Sequence, residues 1–231
     1  MIKKHIPNLL TSANLFSGCI AAIYAFQGDL KTVAYFVILS GIFDFFDGFA
    51  ARLLNVKSDI GKELDSLADV ISFGFVPGII FYQLLKTETE SASFLPYLGF
   101  IITIFSAIRL AKFNLDTRQT EDFIGLNTPM NTFFVISLPY IIDDNPMISN
   151  PWFLCGLIAA LSWLLISELR LFSMKLSGDL SSKTNKYRYL FLIFSVISLI
   201  FGGFSGIPII LFLYLIFSQL HFSKLKRTAK L

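Results

Sequence analysis

Four aspartates stand in a stretch that is otherwise rich in Phe, Leu and Ile: Asp44, Asp47, Asp65 and Asp69. The first two are three residues apart and share one face of a helix. The second two are four apart and share a face of the next helix. Between the pairs lie Gly48, Arg52, Asn55, Lys57, Ser58 and Gly61, the residues of a helix end, a short turn and a new helix start. The pairs are therefore expected to face each other across a helical hairpin. Four carboxylates cannot converge in a low-dielectric site without neutralisation, because like charges and burial both penalise the ionised form. Hard divalent cations such as Mg²⁺ or Mn²⁺ meet that need with oxygen ligands and bridge carboxylates to phosphates. Two such ions would clamp a diphosphate, and a carboxylate left partly free could take a proton from an attacking hydroxyl.

The smaller residues suit the same chemistry. Gly48 and Ala51 keep one helix surface low, so that a flat ligand can approach the backbone. Ser58 or Asp59 can cap the second helix, whose first N–H groups near Gly61 favour an anion. Arg52, one turn from Gly48, can reach a phosphate or ribose. Asp59 and Glu63 read instead as interfacial carboxylates balanced by Arg52, Lys57 and Lys62. Asp44 and Asp47 do not, since ionisable groups embedded in apolar membrane sequence are functional candidates by default.

These residues must be held by membrane helices. The 231-residue chain is 55% hydrophobic, above the composition of ordinary soluble domains. Its apolar residues fall in runs near 9–28, 32–51, 66–85, 94–111, 129–143, 152–171, 189–203 and 205–222. A span needs roughly 20 such residues. The expected fold is an all-α, polytopic membrane helical bundle of about eight spans, with six or seven also open because 129–143 is short and the last two runs nearly touch. Residues 1–231 form one domain, with no repeat or low-complexity tract. The opening "MIKKHIPNLLTSANLF" is amphipathic and reads first as a short surface anchor preceding the first span, with Asn8, Thr11 and Asn14 available to border a headgroup pocket. No A-x-A-like cleavage site follows it. Cys19 and Cys155 read as small buried residues, and His5 and His221 as interfacial ones. The "SGDLSSKTNKYR" segment reads as a solvated loop.

Eight spans would place all but Lys31 and Lys86 of the 19 Lys and Arg residues on one side. By the positive-inside rule that side is the cytoplasm, and it holds both termini and the loop between the aspartate pairs. The net charge of +3 is thus an orientation signal rather than a nucleic-acid footprint. An ion-coupled secondary transporter is the remote alternative. Its carboxylates would be expected at the midplane, within an inverted repeat.

The aspartates and their neighbours spell D-x2-D-G-x2-A-R-x8-G-x3-D-x3-D through Asp44, Asp47, Gly48, Ala51, Arg52, Gly61, Asp65 and Asp69. This run resembles, without a break, the signature of the CDP-alcohol phosphatidyltransferases. The resemblance implies a helical bundle with its site open to the cytoplasmic interface of a bacterial inner membrane, and a homodimer. It also implies two divalent ions on the four aspartates, Asp69 as general base, and a CDP pocket lined by Gly48, Ala51, Arg52 and Gly61.

Further runs are similar to the branch of that family that uses serine: "SLADVISFGFVPG", "SAIRLAKFN", "FIGLNTPMN" and "IPNLLTSANLFSGCIA", which together cover most of residues 6–140. Lys112, Asn127, Met130 and Asn131 depart from that pattern. The resemblance implies transfer of a phosphatidyl group from CDP-diacylglycerol to L-serine, releasing CMP. Arg109 ends the fourth span and offers a bidentate fork for a carboxylate, with Asn114 for the ammonium or hydroxyl. Arg109, Lys112 and Arg118 read otherwise as positive-inside anchors. Glycerol 3-phosphate or an inositol phosphate is the alternative acceptor, with Arg109, Lys112 and Arg118 as its cationic groups.

Overall fold

The computed structural model describes residues 5–56, 58–89, 93–119, 122–142, 145–173 and 185–228. Lys3, Lys4, Lys57, Lys175, Lys183 and Lys230, which the sidedness argument counted, and most of the loop before residue 185 lie outside them.

Helix α1 (Ile6–Gln27) begins at Pro7 and stops at Gly28, which takes φ +83°. Asp29 then accepts from the Thr32 N–H at 3.2 Å and starts α2 (Leu30–Leu53). A two-residue turn thus folds the first two helices against each other. After α2, Asn55 adopts a left-handed φ of +50°, and the Ser58 hydroxyl accepts from the Gly61 N–H at 3.1 Å to cap α3 (Asp59–Asp69). From Asp69 the chain runs through a π-helical stretch, Val70–Phe75, into α4 (Val76–Thr87). A 3₁₀ turn, Leu95–Phe100, opens α5 (Ile101–Leu115). Strand β1 (Phe123–Ile124), α6 (Thr128–Ile142), α7 (Pro151–Ile166), strand β2 (Arg170–Leu171), α8 (Lys186–Gly202) and α9 (Ile207–Thr228) complete the described chain. The only sheet among the described residues is the antiparallel pair of β1 with β2, Phe123 opposite Leu171.

Each expected apolar run is mainly helical, but 152–171 leaves its helix after Ile166 and ends in β2. By length and apolarity five runs can cross a membrane: Ile6–Gln27, Leu30–Leu53, Asp59–Thr87, Leu95–Leu115 and Lys186–Lys224. The last of these folds at Gly203 into α8 and α9, the turn closed by the Ser198 hydroxyl on the Gly206 carbonyl at 2.8 Å. Helices α6 and α7 have 15 and 16 residues, about 22–24 Å of helix against a hydrocarbon core of about 30 Å. The protein is an integral membrane helical bundle.

The Asp59–Thr87 rod is its axis. Of its apolar window 61% is buried, against 17–39% for the other four, and Phe73, Val76, Ile79, Ile80 and Phe81 form the heart of the core. Close approach of α5 to this rod requires glycine at position 78, where a Cβ would collide with the Thr103 hydroxyl. By contrast α8 exposes Ile193, Phe194, Ile200 and Phe201, a face for lipid.

Three sequence expectations change here. The amphipathic opening is not a separate surface segment: from Ile6 it is already α1, and Thr11 and Asn14 are buried. Cys19 is exposed on α1 rather than buried, because the helix turns Gly18, Ala21 and Ala22 inward instead. His221 is not interfacial: it is buried against Phe172, Tyr187 and Phe222.

Candidate active site

The aspartate pairs do meet. Oxygen atoms of Asp44, Asp47 and Asp65 all lie within 4.8 Å of one another, and the carboxyls of Asp44 and Asp65 are in hydrogen-bonding contact. Asp69, one turn deeper on α3, stands outside that trio but within electrostatic range of all three. It is buried, as is Asp47. The hairpin explains this convergence: α2 and α3 are joined by a turn of a few residues, so the ends carrying the two pairs must lie side by side.

Helix α1 supplies the supports that hold the carboxylates. The Thr11 hydroxyl donates to Asp47 Oδ2 at 2.6 Å, and the Asn14 amide donates to Asp69 Oδ1 at 3.3 Å. Asn14 is itself fixed, because its backbone carbonyl accepts from Ser40 at 3.1 Å and from Ser72 at 3.2 Å. Those bonds tie α1 to α2 and to the π stretch. The π stretch is in turn bonded outward: Phe73 and Gly74 present carbonyls to the hydroxyls of Thr132 at 2.7 Å and Thr103 at 2.9 Å. Wider π turns leave carbonyls available for such bonds and recur at functional sites. The sequence reading placed the roles of Thr11 and Asn14 second to membrane anchoring, and it missed the π stretch.

A divalent cation fits this donor set. It is all oxygen, the three carboxylates are too close to remain unneutralised, and Asp65 Oδ1 is buried with no hydrogen-bond partner. An unmade bond of that kind is costly in a stable fold, and a cation satisfies it.

The other signature residues border the cluster. A Cβ on Gly48 would meet only the Arg52 guanidinium, at 3.7 Å, so the surface above Gly48 is open. Ala51 is half-buried and Arg52 exposed beside it. Gly61 lies against α1, where a Cβ would stand 2.9 Å from Asn8 Oδ1.

Arg109 and Asn114, the two expected acceptor-binding residues, have different surroundings. Asn114 donates to the Ser66 hydroxyl at 2.7 Å, and its backbone carbonyl accepts from Lys62 at 3.1 Å, so it bolts α5 to α3. Arg109 lies on a different face of α5, since five residues rotate a helix by well over a quarter turn. It is buried, its guanidinium 4.8 Å from the ring centre of Phe113 and 6.0 Å from that of Phe123. Its Nε has no hydrogen-bond partner, and Asp69 is within its electrostatic reach.

Arg109 also lines a cavity of about 310 Å³ at the ends of α5 and α7, with Lys112, Asp116, Arg118, Gln119 and Glu168 on its walls. Ile124, Leu165 and Ile166 also line it, and Gly125 follows Ile124. It takes φ +76°, and a Cβ there would come within 2.6 Å of the Leu165 carbonyl oxygen. Its N–H donates to the Leu169 carbonyl at 2.9 Å, beside the β1–β2 pair. Arg118 is committed to Asp116, with contacts of 2.8–3.2 Å. That bonding holds the Asp116 carboxyl well below the usual carboxylate range. The pair is therefore intact above about pH 4 and is lost only as the pH falls through the depressed value.

Comparison with known proteins agrees with this geometry. The family model described as CDP-alcohol phosphatidyltransferase matches residues 4–218. The chain is 30% identical over 171 residues to a CDP-diacylglycerol–serine O-phosphatidyltransferase of Bacillus subtilis (strain 168), covering 72% of this chain and 89% of that one. It is 31% identical over 168 residues to the protein of the same name from Helicobacter pylori (strain J99), covering 71% and 70%. An archaetidylserine synthase of Methanothermobacter thermautotrophicus is 34% identical over 128 residues, covering 54% and 53%.

Proposed function

The chain belongs to the CDP-alcohol phosphatidyltransferase family, and from that premise we propose that it transfers the phosphatidyl group of CDP-diacylglycerol to the hydroxyl of L-serine, giving phosphatidylserine and CMP. The observation that carries the reading is the convergence of Asp44, Asp47 and Asp65 within 4.8 Å, with Asp69 beside them. The names of the relatives support serine as the acceptor.

Asp44, Asp47, Asp65 and Asp69 would hold Mg²⁺ or Mn²⁺, two ions in the full site. When bound, these supply positive charge to a diphosphate. Gly48, Ala51, Arg52 and Gly61 would receive the CDP moiety, Gly48 by leaving the helix surface open and Arg52 by its charge. Asp69, oriented by Asn14, takes the proton of the serine hydroxyl. The serine oxygen then forms a bond to the phosphorus bearing diacylglycerol, and the bond from that phosphorus to the CMP oxygen breaks. Arg109 holds the serine carboxylate while Asn114 keeps α5 in register with α3. Positioning and charge stabilisation are the main contributions a protein makes to such a transfer. The protein acts as a homodimer in a bacterial inner membrane, with the site facing the cytoplasm.

The test is CMP release by the purified protein with CDP-diacylglycerol and Mg²⁺ or Mn²⁺, offering serine, glycerol 3-phosphate or an inositol phosphate separately. Release with serine is expected. Asp65→Asn should lose about 10²–10³-fold in rate, the scale set by removing one group that stabilises developing charge. Near-normal rates in that variant, with unchanged metal dependence, would overturn the metal assignment. Release only with a phosphorylated acceptor would overturn serine.

A further inference from the structure

The cavity beside Arg109 carries a charge pattern that the assignment of Arg109 alone does not use. Three cations and two carboxylates line it, but they are not equally available. Asp116 accepts from Arg118 through both oxygens and from Gln119 at 3.3 Å, so its capacity and that of Arg118 are largely spent on each other. Glu168 is held by a single long contact, Glu168 Oε2 to Arg118 at 3.4 Å, and its side chain is 72% exposed. On the same cavity the buried guanidinium of Arg109 keeps an unpartnered Nε. Between the aromatic rings of Phe113 and Phe123 that guanidinium has little freedom to turn. What remains open to a ligand is one fixed buried cation, the exposed Lys112, and one carboxylate with acceptor capacity to spare.

We propose that this cavity binds the acceptor as a zwitterion, with the carboxylate of the amino acid on Arg109 and its ammonium on Glu168. Glu168 is then a specificity-determining residue for the reaction. The assignment rests on the serine reading above and adds the group that distinguishes an amino acid from other alcohols. A phosphorylated alcohol would bring extra negative charge towards Glu168 and Asp116, and like-charge juxtaposition rejects a wrong ligand effectively. A volume of about 310 Å³ stands at the small end of ligand pockets. Arg109 lines this cavity, and Asp69 of the aspartate cluster lies within its electrostatic reach. An acceptor anchored there presents its hydroxyl towards the base.

The experiment measures CMP release by the full-length protein and by Glu168→Gln, with L-serine and with 3-hydroxypropionate, which is serine without its amino group. The substitution keeps the shape of an exposed side chain and removes its charge. The expected result is a KM for serine raised about tenfold, the scale of one hydrogen bond to a charged group, with the KM for CDP-diacylglycerol unchanged. The wild-type preference for serine over 3-hydroxypropionate should fall by a similar factor, which a merely structural role for Glu168 would not produce. Serine activity that is indifferent to Glu168→Gln, with the preference intact, overturns this assignment and leaves the serine reading standing. Wild-type protein that responds only to a phosphorylated alcohol overturns both.

Discussion

At the scale of single residues, two of the four aspartates, Asp47 and Asp69, depend on partners far away in sequence. Thr11 reaches Asp47 across 36 positions and Asn14 reaches Asp69 across 55. Groups that orient metal-binding carboxylates typically matter 10–100-fold in affinity or activity. Asn14→Ala should therefore lower CMP release by about that factor and shift its metal titration to higher concentration. The same metal curve as wild type would show that Asn14 only packs. The aspartates themselves were legible because a spacing of three or four residues puts carboxylates on one helical face. Asn14 was not, because an Asn in an apolar helix carries no local mark of which helix it will face.

At the scale of elements, two features of backbone geometry decide how the site is walled. The π stretch after Asp69 widens the central rod where hydroxyls of Thr103, Thr132 and Ser72 bind into its surroundings. Gly125 brings β1 against the end of α7, and with it Phe123 onto Arg109. Replacing Gly125 by Val forces a branched side chain into φ +76° and against a carbonyl oxygen. It should cost about 1–3 kcal/mol, visible as a lower unfolding temperature in detergent, and it should raise the serine KM. A Val variant as stable as wild type would mean that the loop can re-form without this contact. "FIGLN" was readable as a motif, but the positive φ and the neighbour that demands glycine are set by a strand pairing 45 or more residues downstream.

At the scale of the whole molecule, the proposed reaction has a lipid-linked donor and a water-soluble acceptor meet at one edge of the bundle. Lys31 and Lys86 mark the opposite edge. In a background without Cys19 and Cys155, a cysteine at the exposed Asp59 should react with an impermeant thiol reagent only from the cytoplasmic face, and one at the exposed Lys86 only from the other. Both positions reacting from one face would overturn a crossing by the Asp59–Thr87 rod. The short α6 and α7 belong to this scale too. They are too short to cross alone at ordinary thickness, and a 3₁₀ turn, Pro146–Ser149, lies between them.

What the sequence determined by itself is what short-range periodicity and composition encode: a bundle of apolar helices, and two carboxylate pairs joined by a turn too short to separate them. Only the tertiary structure decided what lies across from those pairs. It turned the first helix from an expected surface anchor into the support for Asp47 and Asp69, paired Asn114 with Ser66 of α3, and buried His221. It also brought Glu168 and Arg109 to one cavity. The physical reason is common to all four. A helix's own pattern fixes which of its residues share a face, while the identity of the facing partner depends on how the helices pack, and packing is settled by contacts between residues remote in the chain.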